Sequence, residues 1–590
     1  MYSNIASVQI LVALLKQYDI RDVVLSPGGS DIPIIHSIEN DSFFNCFSVV
    51  DERSAAYFAL GVSQVRNHPV ACVCTSGSAV CNYLPGITEA FYQNVPVIAI
   101  TADKNPYFQG QLETQKIEQS HIFDGVVKKS VSLPLVNTSD DRWLCSRLIQ
   151  EALLEMKHHG QGPVHINIPI VEDIKVYDQE ILPQINPIMR FGPELDVARW
   201  RSAAEELSQS QKILVIIGQN VVFCEEDQKL LDDFFAKFNC VYAVEHLSNV
   251  NCNGRVFSYP ISEMKNFSEL HELVPDIVIT LGNNLSAYNL KHFLRINHTK
   301  FKHWLVNESG TIRDIFKSLY FIFECTPRNF FHFMLEYAPA SSINDQKYFD
   351  TWNSLSGQIM IPEFEFSNFY IAKRLSETIP PNSLLHTAIL NSTRVMQFFP
   401  LAKGVESYSN VGTLGIDGCF STFVGQASVF DGLSFLVIGD LSFFYDMNAA
   451  GIKHIGKNVR VVLLNNGGGA EFHFFAGKDA IPSINRHICA QHRKSAKGWI
   501  ISLGFKYIAV NNKEELEKAI SQLAQESEIP IFVEVFTDME DDAKYTQKFY
   551  DLNKKEPSLN LSQYAHKAAR HLISPEKIQK MKAIIDIIKK

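Results

Sequence analysis

Residues 435–440 read Phe-Leu-Val-Ile-Gly-Asp, and residues 459–469 read Val-Arg-Val-Val-Leu-Leu-Asn-Asn-Gly-Gly-Gly. Both apolar runs predict buried strands, and the segment between them, around Met447–Ile452, predicts the crossover helix of a βαβ unit. Asp440 and Asn466 would then follow neighbouring strands at the carboxyl edge of a sheet, where open α/β sheets bind ligands. Their side-chain oxygens suit Mg²⁺, and the glycine run lets backbone groups approach a metal or a diphosphate. The alternative is an ordinary parallel strand pair with polar loop ends.

The bulk composition is that of an ordinary globular protein. The chain has 590 residues, of which 46% are hydrophobic and 20% charged, which indicates about two to four domains. A net charge of −10 and a pI near 6.0 argue against nucleic acid or an anionic membrane as a partner. The sequence shows no apolar run of about eighteen residues and no signal-peptide pattern. We therefore expect a cytoplasmic protein.

Strand and helix patterns alternate along most of the chain. This alternation predicts an α/β fold with three doubly wound domains and mainly parallel sheets. The predicted domains are 1–182, 195–340 and 365–555, followed by a helical tail over 560–590. Proline-containing stretches after Leu182 and around Pro339 predict the linkers. The strand ends of the central domain carry no acid–amide pair, so the candidate metal site belongs to the third domain.

The Gly439-Asp440…Asn465-Asn466 pattern resembles the cofactor motif of thiamine-diphosphate-dependent 2-oxo acid decarboxylases and carboligases. The resemblance implies that Asp440, Asn466 and the carbonyl of Gly468 hold Mg²⁺, which in turn holds the diphosphate of thiamine diphosphate. It also implies that Glu52, at a predicted strand-to-helix junction, hydrogen-bonds the aminopyrimidine ring and so activates the cofactor. Without the resemblance, Glu52 is an acidic residue in the first turn of a helix, where it interacts favourably with the helix dipole.

A glycine-rich stretch, Gly415-Ile-Asp-Gly-Cys-Phe-Ser-Thr422, would by itself predict a loop followed by a helix cap. It resembles the corresponding stretch of one branch of the superfamily, the SEPHCHC synthases of the menaquinone pathway. In that branch the isoleucine is a wedge beneath the bent cofactor, which implies this role for Ile416. Gln115 is implied as a catalytic group near the reacting carbonyl. The further residues implied to bind the cofactor are Gly415, Asp417, Gly439, Leu441, Ser442, Ser76 and Gly77.

The resemblance weakens at the positions that would bind the several carboxylates of the SEPHCHC synthase substrates. Arginines expected in that family fall here on Ser30 and Val411, a third is replaced by Lys104, and a fourth is displaced to Arg394 or lost to Met396. A basic pair falls on Tyr288 and Asn289, and an apolar residue on Glu471. Losing one buried Arg–carboxylate contact costs about 2–5 kcal/mol. The candidate substrate residues are Ser30, Lys104, Asn391, Arg394, Glu471 and Phe472.

From the resemblance we predict decarboxylation of a 2-oxo acid and transfer of the resulting acyl carbanion to an acceptor carbonyl or alkene. The missing basic residues favour a substrate pair different from that of the synthase, namely a small-molecule 2-oxo acid such as pyruvate and a polar, less anionic acceptor. One alternative is an authentic SEPHCHC synthase, which uses 2-oxoglutarate and isochorismate, and another is a non-catalytic thiamine-diphosphate-binding regulatory subunit. No phosphate-loop motif supports the further alternative of a nucleotide-binding protein. The family also implies self-association as a dimer or tetramer, with Glu52 and the metal motif contributed by different subunits.

Overall fold

The structure is a computed structural model of the chain. It describes residues 1–171, 175–188, 197–220, 222–340, 343, 345–476 and 483–554. The predicted helical tail over 560–590 lies outside these residues. Within them are three six-stranded, fully parallel sheets with flanking helices. The α/β prediction with three doubly wound units is therefore confirmed, whereas the residue limits of the domains stay predictions.

The first sheet has the strand order β2-β1-β3-β4-β6-β5. Its strands are β1 (Asp22–Leu25), β2 (Asn45–Ser48), β3 (Val70–Cys74), β4 (Val97–Asp103), β5 (Lys129–Ser132) and β6 (Val164–Pro169). Its helices are α1 (Ala6–Gln17), α2 (Ile32–Glu39), α3 (Glu52–Arg66), α4 (Ser78–Tyr92) and α5 (Ser139–Glu155). Strands β3 and β4 are buried on both faces, as parallel strands covered by helices are.

The middle sheet has the strand order β12-β11-β10-β7-β8-β9. Its strands are β7 (Ile213–Ile217), β8 (Val241–Val244), β9 (Arg255–Phe257), β10 (Ile277–Leu281), β11 (Lys302–Val306) and β12 (Leu319–Phe323). The helices are α6 (Val197–Ser208), α7 (Glu225–Phe238), α8 (Ser258–Met264), α9 (Tyr288–Ile296), α10 (Pro327–Glu336) and α11 (Lys347–Gly357). The chain moves outward from β7 in both directions, so the order reverses between β7 and β10.

The third sheet repeats the order of the first, β14-β13-β15-β16-β18-β17. Its strands are β13 (Leu384–Thr387), β14 (Glu406–Tyr408), β15 (Ser434–Gly439), β16 (Val459–Asn465), β17 (Lys506–Val510) and β18 (Ile531–Phe536). The helices are α12 (Asn368–Thr378), α13 (Asn391–Met396), α14 (Cys419–Ala427), α15 (Asp440–Tyr445), α16 (Ala470–Ala476), α17 (Lys497–Ser502), α18 (Lys513–Leu523) and α19 (Met539–Asn553).

The first and third domains share one hydrophobic core, which includes Phe58 of α3 and Phe423 of α14. These two helices approach closely at a glycine on each side. A Cβ on Gly61 would lie 2.1 Å from the carbonyl oxygen of Thr422, and one on Gly425 would lie 2.2 Å from that of Phe58. Only glycine permits this backbone contact. The contact joins the helix that begins at Glu52 to the helix that follows the Ile416 loop.

Two local predictions need correction. The crossover after β15 begins at Asp440 as the short helix α15, and Met447–Gly451 forms only a 3₁₀ turn. Helix α14 begins at Cys419, two residues before the predicted cap, because Gly418 (φ +81°) supplies the N-terminal turn. Among the described residues, no helix combines the length and the apolar character needed to cross a membrane.

Candidate cofactor site

The predicted acid–amide pair lies at one edge of the third sheet. Gly439 pairs with Leu464 across β15 and β16, so Asp440 and Asn466 both emerge at the carboxyl ends of adjacent strands. Asp440 is only 2% exposed, and one of its oxygens, Oδ2, accepts hydrogen bonds from the backbone N–H groups of Gly467 (2.8 Å) and Gly468 (2.9 Å). The other, Oδ1, accepts one from the N–H of Leu441. Burial raises the pKa of Asp440, although His492 and these N–H groups oppose the shift.

The glycine run adopts backbone geometry that only glycine allows. Gly468 has φ +151°, and a Cβ there would lie 2.6 Å from the carbonyl oxygen of Cys489. An L side chain is therefore excluded by conformation and by space. The run bends back so that two successive N–H groups reach the Asp440 carboxylate.

Asn466 is oriented by a buried acid. Its Nδ2 donates to Oδ2 of Asp542 (3.0 Å), which also accepts from Thr537 Oγ1 (2.8 Å), while Asp542 Oδ1 accepts from the N–H of Asn368 (2.9 Å). Burial raises the pKa of Asp542 to about 6. Because Nδ2 is engaged, the amide oxygen is the free end of the side chain. Asn466 Oδ1 accepts no hydrogen bond from the part of the chain that the structure describes.

These residues fit a hard divalent cation. A carboxylate oxygen has two lone pairs, so Asp440 Oδ1, with one donor, retains acceptor capacity, as does Asn466 Oδ1. Oxygen ligands of this kind are those that Mg²⁺ takes, with water and phosphate completing its shell. Within the described ranges no cluster of three or more His, Cys, Asp or Glu residues could hold a metal, so a site here depends on the mixed acid, amide and carbonyl set.

The Ile416 loop is held against the same strand end. The hydroxyl of Ser442, two residues after Asp440, donates to the Ile416 carbonyl (2.7 Å). Asp417 Oδ2 accepts from the hydroxyl of Tyr57 in α3 (3.0 Å). Gly415 is confined by Asp417, because a Cβ would lie 2.4 Å from its carboxylate oxygen. The structure thus brings Ile416, Gly415 and Asp417 close to Ser442, and their binding of the cofactor stays a prediction.

Glu52 is the first residue of α3, but a different residue caps that helix. Asp51 Oδ1 accepts from the N–H groups of Arg53 (2.9 Å) and Ser54 (3.2 Å). The Glu52 side chain is half-buried and makes no hydrogen bond with the described residues. The helix therefore does not require the Glu52 carboxylate as its cap, which leaves that carboxylate available for a ligand.

The neighbours of Glu52 contact the third domain within the same chain. Arg53 lies 3.6 Å from the Asp446 carboxylate, and Asn448 donates to Asp51. Asp446 is buried and accepts from the N–H and hydroxyl of Ser421 (both 2.8 Å), and burial raises its pKa to about 6. Among the described residues no hydrogen bond or ion pair joins Glu52 to Asp440.

A second cluster of predicted residues lies at the end of β3. The hydroxyls of Ser30 and Ser76 are 3.3 Å apart, and Gln115 Nε2 donates to the Ser76 carbonyl (2.9 Å). Gly77 (φ +83°) donates its N–H to Gln119 Oε1 (3.0 Å). Sequence reasoning missed Gln119, which is buried and also donates to the Ala102 carbonyl and to Asn167. The sequence feature that could have indicated Gln119 is its position four residues after Gln115, and such a spacing is too common to be informative.

Lys104 makes fewer polar contacts than Lys116. Its backbone N–H donates to Asp103 Oδ1 (2.7 Å), whereas Lys116 forms a buried ion pair with Asp103 Oδ2 at 2.8 Å. The sequence analysis singled out Lys104 because of its position after β4. It missed Lys116, which lies in an irregular segment twelve residues later.

Three of the four candidate substrate-binding residues of the third domain form one hydrogen-bonded group, and Phe472 is the exception. Arg394 donates to Asn391 Oδ1 (2.9 Å) and to Glu471 Oε1 (3.0 Å). The second oxygen, Glu471 Oε2, is buried without a hydrogen-bond partner among the described residues. Phe472 is exposed. The expected cationic residue is thus present, but a carboxylate of the same chain neutralises it.

A cavity of about 460 Å³ opens between the loops that follow β16 and β18. Asn466 and Gly467 line it together with the run His492-Arg493-Lys494, which the sequence analysis missed. His492 Nε2 lies 3.3 Å from Asp440 Oδ2. The sequence feature that could have indicated these residues is the run of three consecutive basic residues in a chain of net charge −10. Basic side chains therefore line the cavity into which Asn466 opens.

Comparison with known proteins assigns this geometry to a family. Residues 6–122 match the family described as "Thiamine pyrophosphate enzyme, N-terminal TPP binding domain". The 2-succinyl-5-enolpyruvyl-6-hydroxy-3-cyclohexene-1-carboxylate synthase (SEPHCHC synthase) of Bacteroides thetaiotaomicron is 38% identical over 559 residues, 93% of this chain and 99% of its own. The enzymes of the same name from Phocaeicola vulgatus and Bacteroides fragilis are 38% and 37% identical, again over 93% of this chain and 99% of theirs. The chain therefore belongs to the thiamine-diphosphate-dependent enzymes, within the SEPHCHC synthase family.

Proposed function

We propose that the chain uses thiamine diphosphate and Mg²⁺ to decarboxylate a 2-oxo acid and to transfer the acyl unit to a second substrate. The observation that carries this proposal is the buried Asp440 carboxylate, which two glycine N–H groups hold beside the free amide oxygen of Asn466. In a chain of this family, that arrangement supports a site for the metal and the diphosphate.

Thiamine diphosphate, when bound, supplies the thiazolium ring that accepts the electron pair released as carbon dioxide leaves. Asp440, Asn466 and the Gly468 carbonyl would hold Mg²⁺. Ile416, whose carbonyl is fixed by Ser442, would support the cofactor from below. Glu52, free of the helix cap, would hold and pass a proton at the aminopyrimidine ring. Gln115 would hydrogen-bond near the reacting carbonyl of the substrate, and Ser76 would help to bind the cofactor.

The relatives favour one substrate pair. Their shared name describes a hydroxycyclohexene carboxylate that carries a succinyl and an enolpyruvyl group, and the family resemblance links such a product to 2-oxoglutarate and isochorismate. We therefore propose 2-oxoglutarate as the first donor to test and isochorismate as its acceptor, which is the second of the two substrate pairs that the sequence left open.

The Arg394–Glu471 ion pair favours the other substrate pair. A carboxylate that already neutralises Arg394 opposes binding of a further substrate carboxylate there, and the orphan Glu471 Oε2 favours a hydroxylated or cationic group. The corresponding donor is a simple 2-oxo acid such as pyruvate, and the acceptor a keto or aldehydo sugar or another polar carbonyl compound.

One assay tests the reaction and separates the two pairs. Carbon dioxide release is measured from 2-oxoglutarate and from pyruvate with Mg²⁺ and thiamine diphosphate, with and without isochorismate. Release from 2-oxoglutarate that isochorismate accelerates supports the synthase, and preference for pyruvate supports the pair of a simple 2-oxo acid and a polar, less anionic acceptor. Release from neither acid, with thiamine diphosphate binding intact, would instead support the non-catalytic regulatory subunit and overturn the proposed reaction.

We further propose that the active unit is a homodimer or tetramer in the cytoplasm, with no nucleic acid or membrane partner. Family resemblance supports a cofactor shared between Glu52 of one subunit and Asp440 of another.

A further inference from the structure

A second cavity, of about 330 Å³, lies between the first and middle domains. It shares no lining residue with the candidate cofactor site, and Tyr408 is the one third-domain residue among the described residues that line it. Its volume is in the lower part of the range for small-molecule sites. Nearly half of its lining residues are asparagines or glutamines, among them Gln93, Gln219, Asn283 and Asn307.

The cavity lies where an open α/β sheet binds ligands. The strand order of the middle sheet reverses between β7 and β10, and the crevice outside the carboxyl ends of such strands is the usual binding position. Gln219 follows β7, Asn283 follows β10 and Asn307 follows β11. The first two loops touch, because a Cβ on Gly218 would lie 2.3 Å from the Asn283 carbonyl oxygen. Three neighbouring strand ends therefore each present an amide to one cavity.

Two of these amides have an unsatisfied atom. Gln219 is 7% exposed, and its Nε2 donates to Gln93 Oε1 (2.9 Å) and to the Ser409 carbonyl (3.0 Å). Its buried Oε1 accepts no hydrogen bond from the described residues, and the buried Nδ2 of Asn307 donates none to them. An unpaired buried polar group destabilises the folded protein. A ligand that offers both a donor and an acceptor would remove both penalties.

The charge of the cavity selects the ligand class. Among the described residues, no Lys, Arg or His lines it, and the single charged side chain is Glu308. A phosphate or carboxylate would be buried here without a cationic partner, which is strongly unfavourable. The amide lining instead suits an uncharged molecule that carries hydroxyl or amide groups and has the size of a sugar or a nucleoside.

A buried chain of hydrogen bonds connects the cavity to the Ile416 loop. Gln219 donates to Gln93, whose Nε2 donates to Glu89 Oε1 (2.6 Å). Glu89, which is fully buried, accepts from the N–H groups of Gly412 (2.9 Å) and Thr413 (2.8 Å). One residue, Leu414, separates them from Gly415 and Ile416. A ligand that hydrogen-bonds Gln219 would thus act on side chains that hold the Ile416 loop.

We propose that this cavity binds an uncharged hydroxyl- or amide-bearing molecule, and that its occupancy is coupled to the Ile416 loop through Gln219, Gln93 and Glu89. The coupling rests on the proposed cofactor role of that loop, whereas the binding does not. Coupling between sites is reciprocal, so each ligand must change the affinity of the other by the same factor.

The test uses calorimetric titration of the full chain with uridine, adenosine, glucose and N-acetylglucosamine, with uridine monophosphate as the anionic comparison. At least one uncharged probe is expected to bind, the phosphate is expected to weaken binding, and Gln219→Leu and Asn307→Leu are each expected to lower the affinity about tenfold or more. Absence of binding by all four uncharged probes, or binding that both variants retain, would overturn the site. Unfolding curves of the two variants show whether they remain folded.

The coupling is tested separately. With Mg²⁺ and saturating thiamine diphosphate, the affinity of the bound probe is expected to change at least about fivefold. Glu89→Gln is expected to abolish that change while the probe still binds. An unchanged probe affinity in the unmodified chain, with thiamine diphosphate shown to bind, would overturn the coupling and leave the site. If thiamine diphosphate itself does not bind, the proposed function fails instead, and the two failures remain distinguishable.

Discussion

The first and third domains have the same strand order but present different chemistry at the same edge of their sheets. The third strand of the first sheet is followed by Ser76 and Gly77, and that of the third sheet by Asp440. The fourth strand is followed by Lys104 in one domain and by Asn466 in the other. The scaffold fixes where ligands are presented, and the residues at the strand ends fix what is bound.

The two edges differ most in charge and in burial. At the third domain, a buried carboxylate is held by backbone N–H groups and faced by His492, which suits a metal and a diphosphate. At the first domain, the cluster around Ser30, Ser76 and Gln119 consists of neutral hydrogen-bonding groups, and Glu52 begins the helix that follows β2. Such an edge suits an uncharged ring that carries polar nitrogens. The pair would thus hold opposite ends of one cofactor.

The strongest test of the different roles of these two edges is the substitution Glu52→Gln in the first domain. The substitution keeps the size of the side chain but removes the group that would pass a proton, so turnover is expected to fall about 10²–10⁴-fold. Thiamine diphosphate binding, followed by calorimetry, is expected to change little. The exposed Glu39→Gln, at the end of α2, is the matched control. Full turnover of Glu52→Gln would refute the assigned role.

The corresponding change in the third domain is Asp440→Asn. It removes the charge that would bind Mg²⁺, so the apparent affinity for thiamine diphosphate is expected to fall about a hundredfold, with turnover lost in proportion. Excess Mg²⁺ is expected to restore part of the binding. Asp431→Asn, an exposed residue just before β15, should have no effect. Unchanged cofactor affinity of Asp440→Asn would place the metal elsewhere.

The contact between the two domains is tested by Gly61→Ala. The new Cβ would lie 2.1 Å from the Thr422 carbonyl oxygen, and such overpacking costs about 1–3 kcal/mol in free energy of unfolding. The melting temperature should therefore drop. Gly498→Ala in α17 meets no atom within 4 Å and should leave the melting temperature unchanged or slightly raised. Equal behaviour of the two variants would show that α3 and α14 are not closely packed.

The smallest expected effect concerns substrate choice at the third domain. Glu471→Gln removes the carboxylate that neutralises Arg394, so kcat/KM for 2-oxoglutarate relative to pyruvate is expected to rise about tenfold, or 1.4 kcal/mol. Glu517→Gln removes a comparable carboxylate from Arg374 on the outer surface of the same domain and should not alter this ratio. If the ratio stays constant or falls in Glu471→Gln, Arg394 does not bind the donor carboxylate.

The sequence was sufficient for the fold class and for the residues at strand ends. Each apolar run predicts a strand, and Asp440 and Asn466 stand where the two runs end. Because the two strands are parallel neighbours, both residues lie at the same edge of the sheet. Local turns were less predictable. Asp440 begins a helix directly after Gly439, so the crossover helix lies earlier than the apolar residues around Met447 suggested.

Contacts between distant segments were beyond sequence reasoning. Asp542 orients Asn466 across 76 residues, and Lys116 rather than Lys104 pairs with Asp103. Neither partner carries a local pattern that distinguishes it from an ordinary surface residue. The amide cavity depends on the strand order of the middle sheet, and the order of strands in space is not encoded in any single segment.

The most direct measurement combines the two inactive variants. Glu52→Gln and Asp440→Asn chains, co-expressed with different affinity tags and purified through both, contain one intact pair of residues per dimer if the cofactor is shared between subunits. Turnover is then expected to recover to about half that of the unmodified dimer, although each variant alone is nearly inactive. Turnover that stays at the level of the separate variants would contradict a site built from Glu52 of one subunit and Asp440 of its partner.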